Sequence, residues 1–132
     1  MTKLSHKLLT VALIFCMVML ASDAQFGKQI TVTAGTPIRL VNTRTMVSSL
    51  LIQMKHGGSG LGLVYNADPA IACSAGTLVA ELAPATATSP GGSYTFPSNG
   101  SATTESSGFD INYVCVDGSN SGDVLVTSWN VR

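Results

Sequence analysis

A single imidazole beyond the N-terminal segment, scattered carboxylates, a pair of thiols and a few aromatic rings are the groups of this 132-residue chain that could do chemistry. His56 stands directly before Gly57-Gly58. A nucleophile needs a base that a third group orients, and no Ser or Cys here occupies a strand-to-helix elbow. His56 therefore reads as a solvent-exposed turn histidine. Glycoside hydrolysis would need two carboxyl groups at a controlled separation. Glu81 and Glu105 are the pair at hand, but Glu105 sits in a Ser/Thr-rich stretch that is a poor platform for a positioned carboxylate. Asp117, Ser119, Ser121 and Asp123 offer oxygens at alternate positions around two glycines. That is a faint echo of a calcium loop without its distant bidentate glutamate, and a plain β-turn is the expectation. No catalytic, cofactor or metal residue is assigned, and the chain is not expected to be an enzyme.

Cys73 and Cys115 remain after the leader described below, and an even pair in an exported small domain is most simply a disulfide. Two free thiols are the alternative. A zinc site would need closely spaced ligand pairs, which these residues and His56 do not supply. Trp129, Tyr94 and Tyr113 are amphipathic rings that serve either as core or interface anchors or as a stacking platform for a sugar. Asn99-Gly100-Ser101 fits both an N-glycosylation acceptor and an Asn-Gly turn.

The elements that must hold these groups begin with a leader. Lys3, His6 and Lys7 precede an apolar run over 8–20 (LLTVALIFCMVML), and Ser22 and Ala24 are small. The run is too short to span a bilayer and has the three parts of a secretory signal peptide, with the cut expected before Gln25. Cys16 lies inside the run without a lipoprotein arrangement. The expected organisation is a signal-peptide helix over 1–24 and a single domain over 25–132. In that domain Lys28, Arg39, Arg44, Lys55 and Arg132 stand against Asp68, Glu81, Glu105, Asp110, Asp117 and Asp123, a formal balance of −1. Such a surface excludes counterion-driven nucleic-acid binding and leaves short-range contacts with protein or glycan. No membrane partner is expected once the leader is removed.

Within 29–34 (QITVTA), Ile30, Val32 and Ala34 alternate with Thr31 and Thr33, which predicts a half-buried strand. Gly35-Thr36-Pro37 turns the chain into PIRLVN. In 48–55 (SSLLIQMK), Leu50, Ile52 and Met54 share one face and Leu51 and Gln53 the other, so this strand should be central and covered on more than one side. The segment 56–66 reads as a hairpin into a strand around 61–65, 77–82 as one further strand, 84–92 as a surface loop and 93–97 as another strand. The stretch 98–108 (SNGSATTESSG) has one apolar side chain and should be a mobile exposed loop. Alternation over 111–116, a turn over 117–122 and alternation over 123–131 predict a terminal hairpin. Leu125, Thr127, Trp129 and Val131 fall on one face of its second strand. About seven to nine short strands without a helical window argue for an all-β antiparallel sandwich, jelly-roll or immunoglobulin-like.

ITVTAGTPIRL, SSLLIQ, LVYN over 63–66 and the terminal VCVDGSNSGDVLVTSW together resemble small β-sandwich virion proteins of tailed bacteriophages, of the head-decoration and fibre-associated kind. The resemblance spans most of the chain after the leader and consists of strands and turns. It implies a module that packs against copies of itself or against a shell protein. The leader departs from that family and implies a cellular surface or matrix protein, or a phage-derived gene turned to secretion. The expected function is a secreted, non-catalytic structural or assembly module acting by protein–protein contact. The rival is a carbohydrate-binding or adhesive module using Trp129, Tyr94 or Tyr113. The expected location is the periplasm, cell surface or exterior, or a virion if the gene is phage-borne.

Overall fold

Period-two alternation delivers most of the strands where they are expected, and long-range pairing decides which sheet each one joins. The computed structural model describes residues 25–96 and 108–131. Residues 1–24, with Cys16, where a leader is expected, and residues 97–107, with Asn99 and Glu105, where a mobile exposed loop is expected, lie outside the described residues. Nine strands follow in order: β1 (Gln25–Thr31), β2 (Ile38–Arg39), β3 (Met46–Met54), β4 (Gly62–Asn66), β5 (Thr77–Leu82), β6 (Ser93–Phe96), β7 (Phe109–Asp110), β8 (Val114–Gly118) and β9 (Val124–Val131). One sheet has the order β1-β9-β3-β6, with the short β7 also on β3, and the other has the order β2-β8-β4-β5. All pairings are antiparallel.

The pairs β1·β9, β2·β8, β3·β6 and β4·β5 match the first half of the chain to the second half in reverse order. The chain is thus one long two-stranded ribbon, with β4–β5 at its tip, wound so that its strands fall alternately on two sheets. This is the jelly roll, and it sets aside the immunoglobulin alternative, whose strand order differs. Val47, Leu50, Ile52, Met54, Val64, Ile111, Val116 and Leu125 are fully buried between the sheets. Each contributes about 1.5–3 kcal/mol by leaving water. Across the inner face of the first sheet, Lys28, Thr127, Ile52 and Tyr94 form one cross-strand row. Buried Thr127 satisfies its hydroxyl on the Lys28 carbonyl at 3.1 Å. Lys28 itself is an exposed charge on an edge strand, a device that discourages edge-to-edge pairing.

Several expectations change here. The terminal hairpin is absent: β8 and β9 belong to different sheets, and the turn between them is an arch over the core. The reason is burial. Every residue of β8 is buried, so it needs β2 and β4 on either side, while β9 is claimed by β1 and β3. Residues 111–113 form a 3-10 turn rather than strand. The segment after β3 is likewise an arch into the second sheet and not a hairpin, with Gly57 at φ 90°. β1 starts at Gln25 and ends at Thr31, so Ile30 and Val32 face the core but Ala34 is exposed. The strand over 48–55 is central, as its alternation predicts, yet none of the described residues covers its second face, where Leu51 is 37% exposed.

Candidate functional site

β6 turns Tyr94 and Phe96 inward because their partners across β3, Ile52 and Leu50, are core residues. Phe109 on β7 pairs with buried Val47 and continues the same line of rings. The Tyr94 and Phe96 centroids are 4.7 Å apart edge to face, and those of Phe96 and Phe109 are 5.5 Å apart. Opposite them, at the end of the second sheet, stand Asn66 and its partner Val114 with Tyr113 just before it. Tyr113 is held there by the 3-10 turn that Asp110 caps by accepting from the Asn112 N–H at 3.0 Å. Asp110 Oδ1 also accepts from the Thr45 N–H at 2.9 Å, and Arg44 Nε lies 4.0 Å from Oδ2. These groups border an open cleft of about 460 Å³ at the mouth of the sandwich, lined among the described residues by Asn66, Tyr94, Phe96, Phe109, Asp110, Tyr113 and Val114. That volume and that mix of aromatic wall with a few polar groups are those of a small-ligand site.

Two of the three predicted platform residues, Tyr94 and Tyr113, therefore meet in one place. Trp129 does not join them. It lies on the inner face of β9 between Phe26 and Leu50, its ring 6.5 Å from that of Phe26, packed against the core as an anchor. Phe96 and Phe109 were not singled out in the sequence. Their signal is position alone, one on each side of the polar stretch.

The remaining candidates are spread out. His56 is exposed above a shallow hollow shared with Lys55, Gly57, Gly58, Gly122, Asp123 and Val124, a set without serine, threonine or cysteine. Glu81 is exposed on β5. Asp117 Oδ1 accepts from the Gly118 N–H at 2.8 Å, and Asp123 accepts from the Ser59 and Gly60 N–H groups at 3.3 and 2.6 Å. Both oxygens of Asp123 and Oδ1 of Asp117 are thus engaged by backbone. Among the described residues no group of three His, Cys, Asp or Glu side chains could hold a metal ion.

Cys73 and Cys115 form a disulfide, with Cα atoms 5.8 Å apart, joining a 3-10 turn (Cys73–Ala75) to buried β8. Arg39, directly across β2·β8 from Cys115, binds the same stretch of chain. Its Nη1 donates to the carbonyls of Ala67 and Asn112, and its Nη2 to those of Asp68 and Ile71. Five guanidinium donors in a fixed fork suit this use, which a lysine could not reproduce. Tyr65 lies on the same outer face. Burial first, then the Asp117 and Glu81 carboxylates, push its phenol above the ordinary value of 10.0. The folded chain holds that proton more tightly than the unfolded chain. The associated stability is therefore complete below pH 10.0 and is lost as pH rises through the folded value. Urea unfolding across this range should show a high-pH loss that is smaller in Tyr65→Phe. An identical loss in that variant would remove Tyr65 as its source.

The outer face of the first sheet has a different character. Its rows run Gln29–Val126–Gln53–Ser93 and Gly27–Ser128–Leu51–Thr95, followed by Asn130 beside Ser49. All are exposed or half-exposed and none is charged. Lys55 lies at one end, its Nζ donating to Gln29 Oε1 at 3.3 Å.

The chain is thus a disulfide-bonded jelly-roll β-sandwich with an uncharged sheet face and an aromatic cleft. No family model, curated protein or solved structure matches it. Among the described residues no helix is long and apolar enough to cross a membrane.

Proposed function

We propose that this chain is an exported, non-catalytic assembly module that works by protein–protein contact, and that the outer face of its first sheet receives a second copy of itself. The observation that carries the reading is the absence of charged side chains among the described residues of that face between β1 and β6, with Leu51 and Val126 among amides and hydroxyls. Gln, Asn, Ser and Thr side chains both donate and accept, so two such faces related by a two-fold axis meet without opposing like charges. A face built for a strongly acidic or basic partner would carry the opposite sign. The disulfide supports export to an oxidising compartment, the periplasm or the exterior. Packing against copies or a shell protein is also the mode that the resemblance to virion decoration modules implies.

The test is light scattering behind size exclusion on the protein recovered after export from the full gene. Concentration-dependent dimerisation is expected. Leu51→Lys or Val126→Lys should weaken it at least about ten-fold, because two like charges are then buried against each other. A wild-type chain that stays monomeric to millimolar concentration overturns the reading, as does a dimer indifferent to both substitutions.

A further inference from the structure

We infer that the cleft between Tyr94 and Tyr113 binds a neutral saccharide. This is independent of self-association, since Tyr94 faces inward from β6 while its neighbour Thr95 faces the outer surface. The walls supply rings: Tyr94, Phe96 and Phe109 are packed on one another in sequence, and Tyr113, 41% exposed, stands across the opening. Aromatic faces of this kind stack on the C–H face of a pyranose, and phenols present a polar tip beside an apolar body. The polar groups are few and fixed. Asp110 is held by the Thr45 and Asn112 N–H groups, and Asn66 and the two phenols add donors and acceptors for hydroxyls.

Charge and desolvation narrow the ligand class. Among the described residues lining the cleft Asp110 is the charged one, so an anionic ligand meets repulsion. A cationic ligand finds that carboxylate already facing the Arg44 guanidinium. A wholly apolar ligand would strip water from Asp110, Asn66 and the phenols and give nothing back. Hydroxyls on a neutral ring replace that water while the C–H face covers the rings. The volume of about 460 Å³ accommodates a ring-sized ligand.

The experiment uses the exported protein on an array of glucose-, galactose- and mannose-based oligosaccharides, with sialylated glycans as the anionic arm. Calorimetric titration of the best neutral binder and of tetramethylammonium follows. Binding of a neutral saccharide is expected, weakened about ten-fold or more in Tyr113→Ala, whose exposed side chain can be truncated without opening the core. Tyr113→Phe, which keeps the ring, should retain more affinity than Tyr113→Ala. Leu61→Ser, at an exposed position just before β4 and at the end opposite Asn66, should bind as the wild type does, and circular dichroism establishes that each variant is folded. Three results overturn the inference: no neutral saccharide bound, Tyr113→Ala binding as tightly as wild type, or binding confined to the sialylated or tetramethylammonium arms.

Discussion

Replacing Cys73 and Cys115 together by alanine should lower stability by about 4 kcal/mol, read as a shift of the urea midpoint, and reducing the wild-type chain should do the same. The size follows from the 42-residue separation that the bond closes, whose freedom returns to the unfolded chain when the bond is cut. For a domain whose whole stability is on the order of 5–15 kcal/mol, that loss is a large share. The location adds a second effect. Cys115 is wholly buried on β8, while Cys73 sits in the 3-10 turn that follows the stretch gripped by Arg39. Bond and guanidinium hold one piece of chain at two points. Arg39→Ala should therefore cost less in the disulfide-free protein than in wild type, by about 0.5–1 kcal/mol, because the chain it holds is already loosened. A double alanine variant that loses under 1 kcal/mol would show that the unfolded chain is not constrained as supposed. Strict additivity with Arg39→Ala would show that the two do not share a load.

What was legible in the sequence is local, and what was not is the pairing. Leu50, Ile52 and Met54 advertise a buried face because side-chain direction alternates residue by residue, and all three are in the core. Cys73 and Cys115 are read by counting. But alternation says nothing of which strand lies alongside. Residues 111–131 look like a hairpin because two alternating runs flank a glycine-rich turn, whereas β9 pairs with β1, Phe26 opposite Trp129, from the other end of the domain. A wound ribbon places most sequence neighbours on opposite sheets, and among the described strands only β4 and β5 pair as consecutive ones. Arg39 was invisible for a related reason. Its partners are four backbone carbonyls, which leave no mark in composition. The cleft was half visible: Tyr94 and Tyr113 were named for their rings, but their meeting depends on the winding, and Phe96 and Phe109 had only their position to mark them.

The second large effect is expected at Asp123. The β3–β4 and β8–β9 arches both cross from one sheet to the other, and at this place they are fastened to each other. Asp123, 8% exposed, accepts from the Gly60 and Ser59 N–H groups. Ser119 Oγ accepts from the Leu61 N–H at 2.7 Å, the Ser119 N–H donates to the Leu61 carbonyl, and Asn120 Nδ2 donates to Ser59 Oγ. Asp123→Ala leaves buried Gly60 and its neighbour with unmet donors and removes two hydrogen bonds to a charged acceptor, so a loss of about 3 kcal/mol is expected. Asp123→Asn keeps one oxygen in place and should cost about 1–2 kcal/mol. Gly60 supplies an independent probe of the same contact. A Cβ there would fall 2.6 Å from Asp123 Oδ2, 2.7 Å from Ser119 Oγ and 2.8 Å from the Asn120 backbone nitrogen. Gly60→Ala must therefore push the arches apart, at a cost of about 1–3 kcal/mol for overpacking. Since both substitutions act on one contact, the double variant should lose less than the two single losses together. Removing the carboxylate relieves part of the clash, while the Asn120 backbone remains in the way. Urea unfolding of the four chains measures the cycle, and additive losses would mean that Asp123 and Gly60 act through different parts of the fold.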